Sequence, residues 1–188
     1  MIITEPKWKS WIVETTTPVF TPEQCQQIIE CGKRQPSETG QDDGKVDAEK
    51  RASTVSWIPF KEMESMYDHI NQLVQRTNDN HFGFDGIQIT EPAQYTEYPE
   101  GGFYDWHMDC AVDFAHEPPV RKISMVLLLS PEDQFEGGDL ELVEPGKFAR
   151  LKQGHAMFFA SFLRHRVSSV SRGVRQSLVM WFGGKPFK

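Results

Sequence analysis

The chain has 188 residues, enough for one well-buried domain and short for two. Its 27 acidic against 20 basic residues give a net charge of −7, which argues against a nucleic-acid surface, since that needs a basic face. No apolar run reaches membrane-spanning length, so neither nucleic acid nor membrane is an expected partner; oligomeric state is left open. The opening MIITEPKWKSW lacks the apolar stretch of a signal peptide, so the expected location is cytoplasmic. Cys25, Cys31 and Cys110 are odd in number and form no CxxC pair, which points to buried thiols rather than a disulfide framework.

The first predicted element is a helix beginning at Thr21. Thr21-Pro22-Glu23-Gln24 supplies a hydroxyl N-cap, proline at the first helical position and glutamine to close a capping box. Cys25, Ile28, Ile29 and Gly32 form its apolar stripe, and Pro36 ends it. Residues 36–50 are polar and aperiodic and read as a loop, a candidate lid with Gly40 and Gly44 as hinges. A second helix is predicted from about Lys61 to Arg76, carried by Met63, Met66, Tyr67, Ile70, Leu73 and Val74.

From Ile87 onward the texture changes to short β-branched and aromatic segments between Gly/Pro turns. Strands are predicted over 86–98, 103–109, 121–129, 138–143, 147–151, 156–160, 164–171 and 175–182. Gly137-Gly138 and Glu144-Pro145-Gly146 mark turns. Eight short strands after a helical third predict a mostly β fold, a jelly roll backed by two or more helices. The whole chain, 1–188, reads as one domain, with 1–85 as helical support and 86–188 as the jelly-roll core.

Three residues could hold a metal. In a strand, positions i and i+2 share a face, so His107 and Asp109 can reach one ion together. Two histidines and one carboxylate on one face of an octahedron leave three positions open, the arrangement of non-haem Fe(II) sites. His69, His81 and His116 lie on a helix or in polar loops and suit packing or solvent; His155, before the apolar run AMFFA, competes for the third position. His165 is preferred because Arg175 and Ser177 follow it. A turn over Ser171–Gly173 would return the chain beside the His165 strand and carry Arg175 into the same pocket. An arginine inside the apolar strand Arg-Gln-Ser-Leu-Val-Met-Trp-Phe needs a partner, and its planar fork binds a carboxylate with two bonds.

These residues resemble the Fe(II)/2-oxoglutarate-dependent oxygenases, in the prolyl-4-hydroxylase-like branch. The matching pattern is Tyr98-x-x-Gly101-x-x-Tyr104-x-Trp106-His107-x-Asp109, then Phe135-x-Gly137-Gly138-x-Leu140, His165-x-Val167 and Gly173-x-Arg175. Arg51-x-Ser53-x-Val55-x-Trp57 looks like the strand before this branch's second helix. The resemblance implies a cupin-like double-stranded β-helix with His107, Asp109 and His165 as metal ligands and catalytic centre. Arg175 and Tyr98 would bind the far carboxylate of 2-oxoglutarate, Ser177 could add a hydroxyl donor, and Tyr104 and Trp181 would shape the pocket. It implies an iron dioxygenase that uses 2-oxoglutarate and O2, supported by ascorbate, to hydroxylate a prolyl residue of a peptide or protein. Collagen-type members commonly use lysine where this chain has Arg175. A free amino acid or small metabolite is the competing substrate, and a groove at Trp57, Trp106 and Trp181 would favour peptide. A non-catalytic metal-binding β-sandwich module is the competing reading of another class.

Overall fold

The computed structural model describes residues 10–42, 44–110, 119–143 and 148–186. Its strands are β1 (Ile12–Glu14), β2 (Ser37–Thr39), β3 (Arg51–Ala52), β4 (Thr54–Ile58), β5 (Gln88–Ile89), β6 (Ala93–Tyr98), β7 (Phe103–His107) and β8 (Val120–Leu128). They continue as β9 (Phe135–Gly137), β10 (Leu140–Leu142), β11 (Phe148–Ala149), β12 (Ala156–Ala160), β13 (His165–Val167), β14 (Val170–Gly173) and β15 (Arg175–Gly184). Two α-helices, α1 (Pro22–Arg34) and α2 (Glu64–Thr77), precede most of them. The larger sheet has the order β1-β12-β8-β15-β6-β4-β2, with β5 also on β15; the smaller runs β11-β10-β13-β7-β3, and β14 pairs with β9 alone.

The central strands have no solvent-exposed face, and the packing explains why. On β8, Ile123, Met125 and Leu127 join the helices in one core cluster, while Val126 and Leu128 join the opposite cluster. β12 divides likewise, Ala156 and Phe158 against Met157 and Phe159. A strand covered on both sides loses the apolar–polar alternation that a half-exposed strand shows. The helices thus cover the outer face of the larger sheet, and the smaller sheet covers its inner face. β15 sends Leu178, Met180 and Phe182 outward. By the period of two, Arg175, Ser177, Val179 and Trp181 point inward.

α1 keeps the predicted capping box: the Gln24 amide donates to the Thr21 hydroxyl, and the Gln24 side chain accepts from the Thr21 amide. Gly32 lies on its buried stripe because a methyl group there would sit 2.4 Å from Cγ of Tyr95. The Gly32 carbonyl also accepts from Ser56 Oγ at 2.8 Å, tying the helix to β4. α2 buries Met66, Tyr67, Ile70 and Val74, as its spacing predicts. It begins only at Glu64, after a short 3-10 turn over Phe60–Glu62, and passes into a π turn over Asn78–Phe82.

Several expectations need correction. Residues 36–50 are not wholly loop: β2 adds to the edge of the larger sheet, and Asp42 bridges Lys45. Gly40 is buried, and a methyl group on it would meet Ser53 Oγ at 2.3 Å and Arg51 Nε at 2.4 Å, so it marks close packing rather than a hinge. The 86–98 strand divides at Glu91-Pro92 into β5 and β6, since proline has no amide for a ladder. The 103–109 strand stops at His107, so Asp109 lies beyond the pairing. The 164–171 segment forms β13 and then β14 in different sheets, and β15 pairs with β8 and β6, not β13. Glu144-Pro145-Gly146 and His116 lie outside the described residues.

Gly32→Ala should lower unfolding free energy by about 1–3 kcal/mol, the usual cost of overpacking a tight contact. Urea denaturation checks this, and an unchanged midpoint would contradict the contact with Tyr95.

Candidate active site

His107 ends β7 and His165 begins β13, and the two are direct partners across the antiparallel ladder. Their rings lie 4.1 Å apart at 53°. Asp109 reaches back so that its Oδ1 is 3.7 Å from His107 Nε2 and its Oδ2 is 3.5 Å from His165 Nε2. Among the described residues this is the one cluster of three such donors, one ligand atom from each lying within 4.8 Å of the others. His107 Nδ1 faces the Asp105 carbonyl at 2.8 Å, and His165 Nδ1 faces the Leu163 carbonyl at 3.0 Å. A carbonyl can only accept, so each Nδ1 carries the proton and each Nε2 turns a free lone pair inward.

Charge suits the same end. Burial, with the neighbouring His165, pushes His107 down to about 4, against a partial opposing pull from Asp109. For Asp109 burial acts upward, but His165, His107 and the Ser124 hydroxyl together hold it below the ordinary carboxylate range. At neutral pH the cluster therefore offers a neutral imidazole at His107 and a carboxylate at Asp109, the protonation states a metal requires. His155 is not part of it; its Nδ1 faces the Thr15 carbonyl at 3.0 Å. His69 packs on Phe20.

The cluster opens on a cavity of about 840 Å³ whose lining includes Tyr98, Tyr104, Arg175, Ser177 and Trp181. Arg175 is 2% exposed and donates to Ser177 Oγ at 3.1 Å. Tyr98 is its direct cross-strand partner on β6, with the guanidinium 5.5 Å from the phenol ring. Among the described residues no carboxylate stands within ion-pairing distance of Arg175. Burial lowers its pKa, yet a guanidinium stays charged at neutral pH. Gly138 makes room for it: a methyl group there would lie 2.7 Å from Arg175 Cδ, and its φ of +64° suits glycine. The sequence foresaw Arg175 in this pocket but not its route. It arrives from the sheet opposite the histidines, across the cavity.

Other residues complete the site. Arg51, buried, donates to Ser53 Oγ, the Gln41 carbonyl and Gln94 Oε1, and its guanidinium lies 4.4 Å from the Tyr104 ring. Tyr104 in turn stacks on His107 at 3.5 Å and 13°, and its hydroxyl donates to Asp42 Oδ1 at 2.8 Å. Burial, helped by Asp42, raises the Tyr104 pKa, so the phenol keeps its proton. Trp57 and Trp181 meet at 6.1 Å, and Arg121 lies 3.9 Å over Trp181 while paired with Glu91. Trp106, the third predicted groove residue, also lines the cavity. Alternation along the strands could have marked Ser124 and Arg51 as inward-facing polar positions. Asp42, in a polar segment, left no trace.

The sequence family described as the 2OG-Fe(II) oxygenase superfamily matches residues 93–183. Those residues belong to that superfamily. A PKHD-type hydroxylase of Acidovorax ebreus is 30% identical over 95 residues, which cover 48% of this chain and 42% of that protein. One of Synechococcus is 30% identical over 117 residues, covering 60% and 52%. The chain thus spans about half the length of the relatives it matches. Among solved structures, a Pseudomonas putida prolyl-4-hydroxylase superposes with a TM-score of 0.71 at 19% identity, covering 94% of each chain. A viral collagen prolyl hydroxylase from Paramecium bursaria Chlorella virus-1, in its 2OG complex, gives 0.73 at 19%, covering 93% of this chain and 97% of that one. These likenesses establish the jelly-roll fold shared by the oxygenase segment and the elements before it. Fe(II), 2-oxoglutarate and O2 are the superfamily's cofactors, and the residues fit them. Inward Nε2 lone pairs and a carboxylate suit the metal, and a buried guanidinium that no carboxylate of the described residues contacts, Asp139 acting on it only from a distance, suits a dicarboxylic acid.

A stability prediction follows from His107. The unfolded chain binds its proton near the ordinary 6.5, the folded chain only near 4. Between those values the unfolded state holds more protons, so metal-free protein loses stability as pH falls, by up to about 1.4 kcal/mol per unit. Urea titrations across that window should show a shallower slope for His107→Gln; equal slopes would contradict the shift.

Proposed function

We propose that this chain is a 2-oxoglutarate- and O2-dependent hydroxylase acting on a prolyl residue of a peptide or protein. One observation carries the reading: a buried arginine, with no carboxylate in ion-pairing contact among the described residues, shares a cavity with a His-Asp-His cluster. His107, Asp109 and His165 would hold Fe(II), which when bound activates O2 against 2-oxoglutarate, giving succinate, CO2 and a hydroxylated product. The remaining roles fall to the protein. Arg175, steadied by Ser177, pairs with the far carboxylate in a site where water cannot compete. The Tyr98 phenol donates to the same group, and Tyr104 and Trp181 wall the pocket. The residues described on either side of the oxygenase segment work with it as one catalytic unit.

Support for a peptide substrate comes from the size of the cavity, which exceeds what a five-carbon diacid fills, and from its tryptophans at positions 57, 106 and 181. It also comes from the neighbours' names. A Trichoplax adhaerens prolyl hydroxylase with a TM-score of 0.68 is bound to a hypoxia inducible factor oxygen degradation domain peptide fragment.

The test supplies purified protein with Fe(II), ascorbate and 2-oxoglutarate, and offers proline-containing peptides beside free amino acids. Succinate and a peptide heavier by one oxygen atom are the expected products. Oxidation of free amino acids alone would overturn the peptide assignment, and failure to consume 2-oxoglutarate would overturn the enzyme. Arg175→Ala should raise the 2-oxoglutarate needed for half-maximal rate roughly 100-fold, from the ~2–5 kcal/mol that a truncated buried charge pair loses. His107→Ala should abolish turnover instead.

A further inference from the structure

Two buried serines beside Asp109 have no part in the roles assigned so far. Ser124, on β8, and Ser161, just after β12, are both 0% exposed. The Ser124 hydroxyl donates to Asp109 Oδ2 at 2.6 Å, and the two serine hydroxyls are 2.9 Å apart. An ionised carboxylate only accepts, so the Ser124 proton is committed to Asp109 and Ser161 must donate to Ser124. The chain of donors therefore has one direction. Ser161 also holds the backbone: its carbonyl accepts from the amides of Asp109 and Cys110 at 3.0 Å each, and its own amide donates to the Lys122 carbonyl at 3.0 Å.

This grip matters because of where β7 ends. His107 is fixed by its ladder to β13, but Asp109 lies two residues past the last pair. Its backbone and its carboxylate are held instead by the larger sheet, through Ser161 and Ser124. Oδ2 spends acceptor capacity on a short, charge-assisted bond, whereas the other donor near the carboxylate, the Trp181 indole, lowers its pKa without closing a full hydrogen bond.

We propose that Ser124, oriented by Ser161, is a positioning residue that restricts Asp109 to binding the metal through one oxygen. The inference rests on the Fe(II) reading above and deepens it. A carboxylate bound through both oxygens occupies two positions, and two imidazoles with it leave only two of six. One-oxygen binding leaves three, which a two-point co-substrate and O2 together require. Ser124 thereby keeps a position open without touching the co-substrate.

The experiment uses Mn(II) as the probe, with binding followed by calorimetry and by the electron paramagnetic resonance of the bound ion, so no turnover is needed. For wild type, Mn(II) binds and 2-oxoglutarate then binds the Mn(II) form. In Ser124→Ala, 2-oxoglutarate affinity for the Mn(II) form should fall about 10-fold, the lower end of what removing such supporting groups costs in metal affinity or activity. Mn(II) affinity should change less than that, and the resonance spectrum should change shape. Ser124→Thr keeps the hydroxyl and should restore both signals; Ser161→Ala should fall between. Should Ser124→Ala not fold, Ser161→Ala carries the same test. If 2-oxoglutarate affinity and the spectrum match wild type in Ser124→Ala, or in Ser161→Ala where that variant stands in, the positioning role is wrong while the Fe(II) reading stands. If wild type binds neither Mn(II) nor 2-oxoglutarate, both fall.

Discussion

The site depends on the alternation of side chains along strands that are covered on both faces. β15 shows it most fully. Leu178, Met180 and Phe182 lock it to the helical layer, and the alternate positions bring Arg175, Ser177 and Trp181 to the cavity. A one-residue slip would turn the guanidinium into the helix-facing core, where nothing could solvate it. Register and chemistry are therefore fixed by the same contacts. The apolar outer residues hold the polar inner ones where they can act.

The two sheets divide the work. The smaller sheet supplies both histidines, set opposite each other by one cross-strand pairing. The larger sheet supplies the arginine, its cross-strand tyrosine, and the serine that holds Asp109. Neither sheet carries a complete site. Assembly of the core and assembly of the site are thus one event, and the cavity between the sheets is what their inner clusters leave unfilled.

Much of this was legible in the sequence. The capping box at Thr21, the stripes of both helices, and the strands of the second half follow from local pattern. His107, Asp109, His165 and Arg175 were found from spacing, and they do converge. Their routes to the site differ from what spacing implies. Asp109 was assigned to the strand of His107 but lies past its end, because pairing depends on a partner that local sequence does not reveal. Arg175 was expected from a hairpin beside His165, yet it crosses from the opposite sheet, since the intervening β14 pairs with β9. Asp42 and Ser124 escaped notice, and Arg51 was legible only as part of a strand pattern, for a related reason: their partners are up to 62 residues away, and no short motif encodes such a contact.

The stack of Arg51, Tyr104 and His107 has a thermodynamic side. Arg51 holds the Gln41 carbonyl and Tyr104 holds Asp42, so the chain at 41–42 and the imidazole of His107 share the same two intermediaries. Coupling free energies are reciprocal. Whatever steadies His107, a bound ion included, must favour Gln41 and Asp42 in their places at the cavity wall by the same amount. Conversely, a partner that draws those two residues away loosens the hold on the His107 imidazole to an equal degree. The rim of the cavity and the His107 imidazole are thus two ends of one balance.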